Sequence, residues 1–197
     1  ITNLAAGIDA TDAVNMAQLQ EVADVAEETG RYFKASGDGE AFVNGQDAVA
    51  AGSDAMADGD YATAAGASSS AYGEGASAFG SGATANGANA VAVGMNSSAG
   101  ADGAVAIGGM GQAYDEFNSP ILDGDGNPVL VSTQAEVNGT AVGSGALATG
   151  LNASAFGSGA QALGDNSFAA GIKSRATGNW STAIGSNAWA SGGDATA

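Results

Sequence analysis

The chain has 197 residues, 33 of them glycine, with 21 acidic and four basic side chains, a net charge of −17, and neither histidine nor cysteine. That balance excludes a large basic surface for nucleic acid and disfavours adsorption to an anionic bilayer. It also removes disulfides, thiolate metal sites and the usual imidazole base. Alanine supplies much of the 45% hydrophobic fraction, so one thick globular core is not expected. No apolar run approaches the roughly 20 residues of a membrane span. The opening ITNLAAGIDATD lacks the basic start and apolar stretch of a signal peptide, and the closing GGDATA reads as a cut, so the chain is expected to be a piece of something longer.

Residues 1–30 form the first predicted region. TDAVNMAQLQEVADVAEETG is rich in helix formers and holds no glycine until Gly30. Leu19, Val22, Ala26 and Thr29 fit a three-four spacing, which predicts a short coiled-coil stripe, with Asp12 as N-cap. A helix this short is marginal alone and needs partner helices. Residues 31–47 read as a transition with a degraded half coil around Val43 and Gly45.

From residue 48 to 197 a phrase recurs every fourteen residues. Taking its glycine as position zero, it falls at Gly52, Gly66, Gly80, Gly94 and Gly108, then at Gly143, Gly157, Gly171 and Gly185. Position minus two is alanine in every unit, from Ala50 to Ala183, and plus five is alanine from Ala57 to Ala190. Plus seven is glycine except at Ala101 and Asp115. Such a period is the signature of a solenoid. Each fourteen supplies two strands and two turns, and coils stack in parallel at about 4.8 Å. A period of six, as in hexapeptide-repeat enzymes, does not fit, and regular turn glycines with acidic charge argue against a silk-like aggregate.

Side chains alternate across a strand, so the fixed alanines share one side and fill a thin gap between two sheets. The residues beside them point outward. Phe79, Val93, Ile107, Val142, Phe156 and Ile184 stand at minus one; Val91, Val105 and Phe168 stand at minus three. An apolar stripe of this size is expected to be covered by another chain or element. The second half of each coil presents polar residues, so one sheet is an interface and the other faces solvent.

Gly108 and Gly143 are 35 residues apart, 21 more than one coil. The excess is placed at residues 115–137, where PILDGDGNPVLV predicts a β-hairpin projecting from the coils. Asp123, Asp125 and Asn127 imitate the start of a calcium loop. Pro128 and Gln134 stand where that loop needs glycine and glutamate, so turn chemistry is the reading and no metal site is expected. Farther on, Lys173 and Arg175, at plus two and plus four of one coil, are expected to face solvent. With Trp189 they make a candidate ligand patch. The favoured alternative is that Trp180 and Trp189 are covered by a neighbouring subunit or by a following neck.

AVAVGMNSSAGADGAVAIGG and GTAVGSGALATGLNASAFGSGAQALG resemble the head repeats of the YadA-like trimeric autotransporter adhesins, and ITNLAAGIDATDAVNMAQLQEV resembles that family's neck. The resemblance implies an all-β, left-handed parallel β-roll solenoid, homotrimeric, with a short N-terminal α-helical neck and coiled-coil segment. It also makes Leu19, Val22 and the apolar stripe the trimer interface. It implies display on the surface and outer membrane of a Gram-negative bacterium, with membrane attachment through a C-terminal anchor outside this sequence. The partner it implies is a host extracellular matrix or cell-surface ligand of unknown identity. A passive spacer within a long fibre is the alternative. No cofactor or catalytic residue is assigned.

Overall fold

A computed structural model describes residues 2–32, 36–115, 117 and 119–197, with residues 29–32 as backbone alone. The chain divides into two units, Ile1–Ser36 and Gly37–Ala197.

In the first unit the helix runs Met16–Tyr32. Its N-cap is Asn15, not Asp12. The Asn15 side chain accepts the Gln18 N–H at 3.0 Å, and the Gln18 side chain accepts the Asn15 N–H at 3.2 Å. This reciprocal box satisfies two helix-end donors at once. The Gln18 amide also bonds the Gly7 N–H and carbonyl, at 3.0 and 2.9 Å. Asp12 instead closes the preceding turn. Its carboxylate accepts the Ile8 and Asp9 N–H groups, which hold its pKa below the ordinary value. Met16, Leu19 and Val22 are exposed along the helix. Thr29, the last residue of the expected stripe, lies outside the described side chains, as do residues 33–35 of the expected transition.

The second unit is the solenoid. Among the described residues, strands at minus three to minus one form a nine-stranded parallel sheet, the first sheet. Strands at plus four and plus five form a ten-stranded parallel sheet, the second sheet. From Ala50 and Ala57 onward the alanines at minus two and plus five pair with their counterparts in the next coil, as in Ala78↔Ala92 and Ala71↔Ala85. The second sheet begins at Phe42–Val43, which pairs with Met56–Ala57, so the solenoid starts before residue 48.

The core between the sheets is made of small side chains. Ala64, Ala78, Ala92 and their equivalents at minus two are fully buried, except Ala50 at the start, which is half-buried, and Ala57, Ala71 and Ala85 at plus five are fully buried too. Two further buried rows were not legible in the repeat. Plus three carries Ala55, Ser69, Ala83, Ser97 and Thr133; plus ten carries Ala62, Ala76, Ala90, Ser167 and Ser181. These alternate alanine with serine, which reads as polar turn. The hydroxyls of Ser69, Ser97, Ser174 and Ser181 turn back onto backbone, Ser69 and Ser97 onto the carbonyls of Gly66 and Gly94 at 2.8 and 2.9 Å, whereas that of Ser167 has no partner among the described residues. Among the described residues the largest fully buried side chain is that of Thr133.

Each coil without the insert turns twice through a left-handed residue, at plus two (Asp54, φ 56°; Asn96, φ 55°) and at plus nine (Asn89, φ 55°; Asn152, φ 54°). Short polar side chains tolerate that conformation. Position plus seven needs glycine because coils touch there through backbone. A Cβ on Gly73 would fall 2.0 Å from the Gly87 carbonyl oxygen. At the outer corner, aspartates at plus eight accept backbone N–H groups from the previous coil, as Asp60 does from Gln46 and Asp102 from Ala88, both at 2.8 Å.

The expected position of the insert is corrected by sheet register. Ser98–Ala99 pairs with Gln134–Ala135, not with Gln112–Ala113. Both Gln-Ala pairs fit that slot by sequence. The second takes it because Thr133 precedes it. The Thr133 hydroxyl lies 2.8 Å from the Gly109 carbonyl and 2.7 Å from that of Gly143. Residues 110–132 therefore stand where other coils have one plus-two residue. The coil that follows is one residue short between Ala135 and Asn138, where Asn138 takes the left-handed turn with φ 51°. An insertion of 22 and a deletion of one together give the apparent excess of 21.

Candidate functional site

Three surfaces of the second unit carry residues expected to act. The first is the outer face of the first sheet. Phe79↔Val93, Val93↔Ile107, Ile107↔Val142 and Val142↔Phe156 are register partners along one row. Val91↔Val105 lie on the neighbouring row. Phe156 and Phe168 approach with ring centroids 5.9 Å apart, tilted by 46°. In the single chain Phe79, Ile107, Phe156, Phe168 and Ile184 are exposed, Ile184 to 62%, and Val91, Val93, Val105 and Val142 are half-buried. The stripe expected from the repeat is thus on the outside and continuous from coil to coil.

The outer face of the second sheet is mostly polar, with Ser70, Thr84, Ser98, Gln134 and Gln161 in line. Arg175 and Trp189 close this row as register partners. The guanidinium carbon lies 5.9 Å from the indole centroid. Trp189 and Trp180 are both exposed.

The third surface is the insert, and it is more than the expected hairpin. Its sequence echoes itself after eight residues, AYDEFNSP then ILDGDGNP. The two loops are closed by identical bonds. Asp115 accepts the N–H groups of Phe117 and Ser119 at 2.9 and 2.8 Å; Asp123 accepts those of Asp125 and Asn127 at 3.0 and 2.8 Å. Those donors, the Asn127 N–H first, hold the Asp123 carboxyl below its ordinary pKa. Three residues eight apart then close a backbone ring: Ala113 N–H to Val129 carbonyl, Val129 N–H to Ile121 carbonyl, and Ile121 N–H to Ala113 carbonyl, at 2.8, 2.9 and 2.9 Å. The Gln112 amide donates to the Ala113 and Ile121 carbonyls at 3.0 and 2.9 Å. Gly111–Gln112 pairs antiparallel with Leu130–Val131 at the base.

The insert lies against its own solenoid. The Ser144 hydroxyl donates to the Met110 carbonyl. A Cβ on Gly159 would meet the Tyr114 ring at 3.4 Å. Lys173 and Arg175 are half-buried here, not facing solvent as expected. The Lys173 ammonium sits 3.8 Å from the Tyr114 ring centroid, and Arg175 donates to the Asp115 carbonyl at 3.0 Å. Tyr114 and Asp115 were missed as site residues. Their signal was the eight-residue echo, with glycine at plus two in two successive coils. Among the described residues no group of three His, Cys, Asp or Glu could hold a metal ion, and no helix is long and apolar enough to cross a membrane.

Comparison with known families finds the coiled stalk of trimeric autotransporter adhesin over residues 1–41. The YadA head domain repeat matches at residues 44–69, 71–97, 136–160, 148–174, 162–188 and 176–197. The head matches leave out residues 98–135, the interval that holds the insert. A search of curated proteins returned no match.

Proposed function

Because this chain belongs to the YadA-like trimeric autotransporter adhesins, we propose that three copies assemble through the apolar face of the first sheet and act together as an adhesive surface module. Members of the family are displayed at the bacterial surface and anchored in the outer membrane. One observation carries the assembly. Phe79, Ile107, Phe156 and Ile184 at minus one and Phe168 at minus three are all exposed on the outer face of the first sheet, an apolar area too large for water alone. Leu19 and Val22, exposed on the helix, are the corresponding contact in the first unit.

The adhesive reading is for attachment to host matrix, cells or surfaces, with three equivalent faces raising avidity. It assigns no catalysis, in keeping with a sequence that has no histidine or cysteine. The ligand patch of Lys173, Arg175 and Trp189 is carried by the exposed Trp189, with the two cations half-buried against the insert.

Ile107→Asp tests the assembly by setting an unpaired charge into each of three chains, at a cost of several kcal/mol. Sedimentation should show trimer for the unmodified protein and loss of trimer for the variant. A stable monomer of the unmodified protein would overturn the assembly. Adsorption of the trimer to immobilised collagen, fibronectin and cultured cells tests adhesion, and a trimer that binds none of them is the passive spacer.

A further inference from the structure

The chain has four basic residues, and the two in the solenoid unit, Lys173 and Arg175, both meet the insert. From this we propose that Lys173 and Arg175, above a floor at Gly159, form a built-in receptor for the Tyr114–Asp115 step, and that the insert is a releasable folded arm hinged where Gly111 passes Gly145.

The hinge and the floor are specific to these coils. A Cβ at Gly145 would lie 3.0 Å from the Gly111 Cα, and one at Gly159 would meet the Tyr114 ring. Lys173 occupies the plus-two position of the next coil with φ 56°. Elsewhere that position is Asp54, Ser68, Gly82, Asn96 or Asn187, all too short to reach an aromatic ring on the insert. A long cation in a left-handed turn is an unusual choice, and its ammonium is placed over the Tyr114 face.

The Asp115 carboxylate takes no part in the latch. It is turned to the N–H groups of its own loop, so Arg175 meets the main-chain carbonyl instead. The receptor therefore recognises an aromatic ring followed by a peptide carbonyl, and a peptide of that chemistry would compete with the arm. Release would not melt the arm, because the ring through Ala113, Ile121 and Val129 lies within it.

Nitration of the assembled protein by tetranitromethane, read by mass spectrometry, tests this with Tyr61 and Tyr72 as exposed internal standards. In the unmodified protein Tyr114 should react several-fold more slowly than Tyr61. In the Lys173→Ala, Arg175→Ala double variant it should react at the Tyr61 rate, and Lys173→Arg should keep the protection. Equal rates for Tyr114 and Tyr61 in the unmodified protein, or unchanged protection in the double variant, would overturn the latch. Amide exchange at Ala113, Ile121 and Val129 should stay slow in the double variant. Fast exchange there would show that the insert melts on release and is not an arm.

Discussion

In the coil closed by Gly94, each strand residue is held by a partner fourteen positions away, and the fit leaves room for one methyl group at Ala92. In residues 110–132 the loop partners are two and four positions away and the strand partners between eight and twenty, and the loops are set by the aspartates that open them. The two regions teach different lessons about specification. A coil is specified by what must be absent, side chains beyond alanine, serine or threonine inside and, in most coils, beyond hydrogen at plus seven. The insert is specified by what must be present, carboxylates that gather their own backbone N–H groups.

The largest contrast should come from glycine. Gly73→Val puts a side chain into the neighbouring backbone and should cost at least about 3 kcal/mol in thermal unfolding. Gly124 in the insert has open space around it, and Gly124→Ala should stay within about 0.5 kcal/mol. Similar losses for both would mean that coil contact is not what selects glycine. Next in size, Ala92→Leu should destabilise by about 1–3 kcal/mol through overfilling, while Thr84→Leu, on the outer face of the second sheet, stays within about 0.5 kcal/mol. Equal melting temperatures would reverse the assignment of inside and outside.

Replacing residues 110–132 by a single asparagine should leave the coils' melting temperature unchanged. Asn96 shows that asparagine accepts the plus-two turn. A large loss would mean that the insert supports the stacking beneath it. The smallest effect concerns pH. The Asp123 carboxyl has a folded-state pKa below its unfolded value. Its contribution is therefore complete above the unfolded pKa and disappears as pH falls through the folded one. Amide exchange at Asn127 should quicken over that acidic window while exchange at Ala92 does not.

Much of the solenoid was legible because its period is forced by backbone contact, which leaves glycine and alanine as marks. Plus three and plus ten were hidden because serine can enter the core by bonding a turn carbonyl, as Ser69 does. The insert's place was hidden by arithmetic, since a deletion of one residue masked part of an insertion of 22. Asn15 was passed over as a cap because Asp12 has the same chemistry, and only the reciprocal bonds with Gln18 distinguish them. Lys173 and Arg175 were read as solvent-facing because their partners lie some 60 residues away, as in the Arg175–Asp115 bond, a separation no local pattern reports.

That nothing larger than threonine is fully buried among the described residues has a calorimetric consequence. The heat capacity of unfolding grows with newly hydrated apolar area and is reduced by newly hydrated peptide groups. Melting one coil uncovers methyl groups and a dense set of hydrogen-bonded amides. Its increment per residue should therefore fall below the usual 12–15 cal/mol/K, roughly the range for globular proteins. The stability curve of the coils should be correspondingly flat, with little loss on cooling and a shallow decline on warming.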